Sequence, residues 1–192
     1  MKLGEIVEVS AGQAAPQDPM AFGLEGHPFV RAGSLEHLCS GGNPRSLEYI
    51  SHSVAAKYKL KLFPAGTILF AKSGMSAKIG RVFKLIEPSY VVSHLATLTP
   101  TTRVDADYLV HYLIKHPPSN LIPNDAYPSI RLSEIENLDV PSPPLDEQRR
   151  IAAILDKADA VRRKRQEILK LVDDLVKSQF IATAPVFMEA AA

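Results

Sequence analysis

Val140-Pro141-Ser142-Pro143-Pro144-Leu145-Asp146-Glu147-Gln148-Arg149-Arg150-Ile151-Ala152-Ala153-Ile154-Leu155-Asp156 divides the chain into two parts of different character. Three prolines between Pro141 and Pro144 forbid a continuous helix and favour an extended connector. From Asp146 to about Ile181 there is then no Gly and no Pro. Asp146 and Glu147 supply a cap and favourable charge for a helix start. At a rise of about 1.5 Å per residue this helix runs roughly 50 Å, longer than a compact domain of this size needs.

Written as heptads, position a of the helix holds Ile151, Ala158, Arg165, Val172 and Gln179, and position d holds Ile154, Val161, Ile168, Leu175 and Ala182. Every d position and three of the five a positions are apolar. A stripe this long cannot be buried along its whole length against one small domain, so it calls for a second helix. The chain contains no other of that kind, so a second copy or a different protein must provide it. Arg165 and its neighbours Arg162, Arg163 and Lys164 interrupt the stripe, where they can fix register or meet an acidic surface.

Upstream of the prolines the sequence is rich in Gly, Pro and short β-branched runs. Gly66 to Ala71, Ile79 to Ile86 and Tyr90 to Thr97 read as strands bounded by turn residues. Asp105 can cap a helix whose Tyr108, Leu109, Tyr112 and Leu113 share one face, stopped by Pro117-Pro118. Ser133-Glu134-Ile135-Glu136 matches a capping box for a second, shorter helix. The expected fold is a mixed, strand-rich α/β domain over residues 1–142, followed by one long α-helix over 143–182 that forms a coiled coil with a partner helix, and a tail over 183–192.

The 192 residues carry 22 Lys+Arg and 21 Asp+Glu, a net charge of +1, which read alone disfavours a nucleic-acid partner. The charge is not evenly spread. Residues 1–44 have a net charge of −3, residues 45–84 of +7, residues 85–145 of −4 and residues 146–192 of +1. In the basic block Arg45, Lys57, Lys59, Lys61, Lys72, Lys78, Arg81 and Lys84 face only Glu48. They form either a basic surface or one balanced in space by the acidic flanks. A single cysteine, Cys39, excludes an internal disulfide and a multi-cysteine zinc cluster. No apolar leader and no run of eighteen apolar residues occurs, so the expectation is a cytoplasmic protein without a membrane partner.

No P-loop, dinucleotide fingerprint, His-Glu-x-x-His or Gly-x-Ser-x-Gly motif is present, and of the six histidines only His111 and His116 come near metal-ligand spacing, five apart and on different helical faces. No catalytic residue, metal or cofactor is expected in the chain. Three segments are more informative. Phe70 to Arg81 holds Lys72, Ser73, Gly74, Ser76 and Lys78 between two expected strands, a mixture suited to close backbone approach and to phosphate or base-edge hydrogen bonds. His27 to Leu35 places Arg31 and Ser34 beside turn residues, and Tyr127 to Leu132 does the same with Tyr127, Ser129 and Arg131. Arginine is the commonest bidentate reader of guanine, although each segment also suits an ordinary strand end or basic hairpin tip.

In order, these segments resemble one half of a specificity subunit of a Type I restriction-modification system. The resemblance is carried by Leu3-Gly4-Glu5-Ile6 with Gly12, by Pro28 to Leu35, by Phe63 to Gly74 with Ile79-Gly80-Arg81-Val82, by Ser93-His94-Leu95-Ala96, by Ile130 to Ile135 and, most specifically, by Pro143-Pro144-Leu145-Asp146-Glu147-Gln148 leading into the long helix. It implies a non-catalytic target recognition domain followed by a long helix. In the family a full subunit carries two of each, and the helices pack antiparallel as a ruler between the halves of a split DNA site. One of each is present, as in a half-subunit that dimerises or in one half of a longer protein.

By the same resemblance the partners are double-stranded DNA, methyltransferase subunits that bring S-adenosylmethionine, and a separate restriction motor. Candidate DNA-binding residues are Arg31, Ser34, Arg45, Lys57, Lys59, Lys72, Ser73, Gly74, Ser76, Lys78, Tyr127, Ser129 and Arg131, with Lys57 and Lys59 on phosphates. Candidate partner-helix residues are Ile151, Ile154, Ala158, Val161, Arg165, Ile168, Val172 and Leu175. Two other classes fit the sequence: a coiled-coil adaptor with no DNA role, and a hydrolase or transferase whose site is assembled across a dimer.

Overall fold

The computed structural model describes residues 1–189, with side chains described as far as Ser178. It divides into two compact units, Met1–Arg149 and the residues from Arg150 onward. The first is a mixed α/β unit built on two sheets. In the larger, β1 (Val7–Ala11), β7 (Leu95–Pro100), β4 (Ile68–Ala71) and β5 (Val82–Lys84) lie in the order β1-β7-β4-β5, all antiparallel. In the smaller, β2 (His27–Val30) is central, antiparallel to β3 (Tyr49–Ile50) and parallel to β6 (Tyr90–Val91). Phe29, Val30, Leu35, Ile50, Phe63, Leu69, Tyr90, Val91 and Leu95 form one buried cluster that joins both sheets. The sheets also meet through Gly12, where a Cβ would lie 2.1 Å from the Val91 carbonyl oxygen. That close approach lets Gln13 N–H donate to Val91 O at 2.9 Å and Ser93 N–H donate to Gln13 O at 2.8 Å.

Helix α4 (Ala106–Lys115) forms where the sequence places it. The Asp105 carboxylate accepts from the N–H groups of Asp107 (3.1 Å) and Tyr108 (3.0 Å), and Tyr108, Leu109 and Leu113 are buried. Its tyrosines hold the connector: the Tyr108 hydroxyl donates to Pro141 O at 2.9 Å and the Tyr112 hydroxyl to Asp139 O at 2.7 Å. On the other side of the connector, Lys2 Nζ lies 2.8 Å from Asp139. The hydrogen bond and charge of that ammonium hold the Asp139 carboxyl below its ordinary range.

Several expectations shift. The run Tyr90 to Thr97 is not one strand, because a turn closed by Leu95 N–H on Val92 O (3.0 Å) sends β6 and β7 into different sheets. Ile79 is not in a strand. It ends a short helix, α3 (Met75–Ile79), closed by Gly80 at φ +68°, and this helix stands where a hairpin tip was expected. The short helix α5 (Leu132–Glu136) begins one residue before Ser133, and its reach-back bond runs from Arg131 N–H to the Glu134 carboxylate at 3.0 Å. Two further elements, α1 (Ser34–Cys39) and α2 (His52–Lys57), add helix that short segments do not announce.

The long helix α6 spans Leu145–Glu189. It opens on the Pro144 carbonyl, which accepts from Glu147 N–H (2.9 Å) and Gln148 N–H (3.0 Å), so Asp146 lies inside the first turn and does not cap it. The first unit extends through Arg149 because Gln148, 1% exposed, is built into it. Helix also continues past the expected tail boundary at 183, through Pro185 to Glu189. The side chains of Gln179 and Ala182 lie outside those described. No helix of the described residues is long and apolar enough to cross a membrane.

Candidate nucleic-acid interface

Strand register brings the ends of β2, β4 and β6 to one edge. Because β2 and β6 are parallel with Val30 opposite Val91, Arg31 and the turn Val92 to His94 leave the smaller sheet on the same side. That turn adjoins the end of β4, where Ala71 faces Leu95 and Lys72 N–H donates to His94 O at 2.9 Å. The segment Tyr127–Arg131 then lies against the same edge. Ile130 N–H donates to Lys72 O at 2.8 Å, Ser73 bridges Ser129, and Gly74 N–H donates to Pro128 O at 3.0 Å. Two of the three sequence-predicted segments are therefore one hydrogen-bonded surface, and the third emerges beside the turn that links to it.

Gly74 makes the bend possible. Its φ of +76° with ψ −177° suits only glycine, and it turns the chain from β4 straight into α3. Ser76 sits in the first turn of α3 and Lys78 in its last, where Nζ lies 3.4 Å from Asp125. Sequence reasoning did not select His94, whose Nδ1 is 2.9 Å from Ser73 Oγ. Its sequence signal is its place in Ser93-His94-Leu95-Ala96, one of the segments that carry the resemblance.

Arg31 is held more firmly than a surface arginine. Its Nε donates to the Glu48 carboxylate at 2.6 Å, and its guanidinium lies 4.8 Å from the Phe22 ring centroid and 5.2 Å from that of Phe29. One of five N–H donors is used by Glu48, so the group is pre-oriented with donors to spare. Ser34 begins α1, its hydroxyl accepting from Arg31 N–H at 3.3 Å. Arg45, Lys57 and Lys59 are carried by other elements: Arg45 by a 3-10 turn at Pro44–Ser46, Lys57 by the last position of α2 at 5.3 Å from the Tyr58 ring, and Lys59 by the left-handed residue after it at φ +53°.

The basic block is partly neutralised by its flanks. Lys61 pairs with Glu8 at 2.8 Å, Lys78 with Asp125, Arg81 with Glu36 at 3.1 Å, and Lys84 with Asp107. Among the described residues of the basic block Arg45, Lys57, Lys59 and Lys72 have no carboxylate partner, nor has Arg131 at the same edge as Lys72, and these cations are available to an anionic surface. No cluster of three His, Cys, Asp or Glu able to hold a metal occurs among the described residues.

On α6 the apolar stripe is bare. Ile154, Val161, Ile168, Val172 and Leu175 are between 51% and 67% exposed, and Ala158 and Arg165 are exposed with them, whereas Ile151 is half-buried. Leu155, Leu169 and Val176 widen the stripe at position e.

The sequence matches the model of the Type I restriction modification DNA specificity domain over residues 1–171. It is 30% identical over 146 residues to the Type I restriction enzyme MjaIX specificity subunit of Methanocaldococcus jannaschii, covering 74% of this chain and 33% of that protein. Among solved structures it is similar, with a TM-score of 0.67 and 25% identity, to a chain from a structure of complex assembly and conformational transition in the type I R-M system. That match covers 87% of this chain and 40% of the other. The HsdS subunit from Thermoanaerobacter tengcongensis shares the fold at a TM-score of 0.59 and 23% identity, over 83% of this chain and 37% of that one. The chain thus spans about a third of the length of the curated relative it matches. With the family model covering all of the α/β unit and more than half of α6, the chain belongs to the Type I restriction-modification DNA specificity domains.

Proposed function

We propose that the chain reads one half of a split duplex DNA site, docks methyltransferase subunits through α6 and acts as a homodimer, with no catalytic step of its own. The observation that carries this is the basic edge where Lys72–Gly74 and Pro128–Ile130 are joined by backbone hydrogen bonds. Lys57, Lys59, Lys72 and Arg131 have free charge for phosphates, which position the domain. Arg31, Ser73, His94 and Ser129 offer donors and acceptors to base edges. S-adenosylmethionine and adenine methylation belong to the methyltransferase, and DNA cleavage to a separate motor subunit.

The charges on α6 favour an antiparallel pair. A parallel homodimer would set Arg165 against the partner's Arg165 and Lys157 against the partner's Arg162. Antiparallel packing with Arg165 opposite the partner's Ile168 also places Val161 on the partner's Val172 and Ala158 on the partner's Leu175. Arg162 and Lys164 then face the partner's Leu169 and Leu171 and avoid each other. A two-fold dimer of this kind reads an inverted repeat.

Binding to target and scrambled duplexes at two salt concentrations, with and without the methyltransferase, tests the reading. The chain alone is expected to bind weakly and without preference. With about four phosphates engaged, its affinity falls on the order of 10²-fold from about 50 to about 200 mM salt. Preference for the target appears with the methyltransferase present. Self-association without any duplex affinity would instead favour the coiled-coil adaptor.

A further inference from the structure

The basic edge carries an apolar feature that phosphate binding does not use. Ser73 is bridged to Ser129 and Gly74 N–H is bound to Pro128 O, so Met75, which opens α3, and Tyr127 both leave this junction by the next residue. Met75 is 71% exposed and Tyr127 82% exposed, and the Tyr127 hydroxyl has no hydrogen-bond partner among the described residues. Their backbones are not loose. Ala126 N–H is held by the Asn124 side chain at 2.8 Å, Ile130 behind them is buried, and Ala77 N–H closes the first turn of α3 on Gly74 O at 3.0 Å. Two large side chains are thus presented to solvent from a fixed support, with the unpaired cations Lys72 and Arg131 together on the β4 side of the junction.

We propose that Met75 and Tyr127 form a base-contacting tip that reads the C5-methyl group of thymine in the major groove. This rests on the DNA-recognition reading above and assigns a chemistry to part of that surface. These two cations beside the tip favour an anionic partner over an apolar protein face. Once phosphates are held, the base edges offer only one apolar group, the thymine methyl. A thioether has no hydrogen to donate and is a weak acceptor, so Met75 contributes shape and apolar area, and the Tyr127 ring supplies a stiff wall beside it.

The test uses the chain in complex with its methyltransferase and a duplex carrying the site defined by mapped methylated adenines, with each thymine replaced in turn by uracil. The parent complex is expected to lose about 3- to 5-fold in affinity at one or two thymines, the worth of one buried methyl group. Met75→Ala and Tyr127→Ala bind the unmodified site more weakly and become indifferent to uracil at those positions, whereas Tyr127→Phe behaves as the parent. Equal affinity of the parent complex for every uracil duplex overturns the proposal while leaving target recognition intact. A parent complex that does not distinguish the target from a scrambled duplex overturns the recognition reading, and this inference with it.

Discussion

The Gln148 carboxamide satisfies three backbone groups at once. Its Oε1 accepts from Asp105 N–H at 2.9 Å, and its Nε2 donates to Pro143 O at 2.8 Å and to Arg103 O at 3.3 Å. One side chain therefore joins the first turn of α6, the connector and the start of α4. Gln148→Leu keeps the volume and abandons all three partners in a buried place, at a cost of about 3 kcal/mol. A fall of roughly 6 to 12 °C in the Tm of the chain is expected, read by thermal unfolding. The heptad pattern reads Gln148 only as a polar position on a helix. The Pro-Pro-Leu-x-Glu-Gln motif marks it without giving its partners, because Arg103 and Asp105 lie more than forty residues away. Asp105 was legible as a cap because its bonds are to its own next turn. Arg31 was legible as a candidate, but the Glu48 carboxylate and Phe22 ring that orient it come from other segments.

At the scale of elements, length decided what could be read. α4, with ten residues, a cap and a proline stop, follows from its sequence, as does the start of α6 near the prolines. α3 does not, because five residues between two glycines look like a hairpin tip. Tyr90 to Thr97 looks like one strand because a continuous apolar run carries no mark of the turn that splits it. The exposed stripe on α6 has a direct consequence for assembly. In a Cys39→Ser background, Val161→Cys combined with Val172→Cys is expected to give a covalent dimer on mild oxidation, read on a non-reducing gel. Val161→Cys alone is expected to remain monomeric on that gel. Efficient crosslinking of the single variant would mean that the helices run parallel or meet in another register.

For the whole molecule, a net charge of +1 conceals a division of labour. Four cations of the +7 block are matched in space by Glu8, Glu36, Asp107 and Asp125, two from each acidic flank, and are so neutralised within the fold. The cations left over include Lys72 at the edge where β4 meets the Tyr127–Arg131 segment. On the proposed function, half of the block being neutralised means that the α/β unit binds duplex DNA only weakly by itself. Linear charge counting revealed the block. It could not tell paired from unpaired cations, since each pairing joins segments far apart in the chain that only the tertiary fold brings together. The most direct test of target selection by this chain is the map of methylated adenines in cells that express it with its methyltransferase. Methylation on both halves of a split, inverted-repeat motif is expected, and it disappears when the chain is removed. A methylation map that is unchanged without the chain would contradict its role in choosing the site.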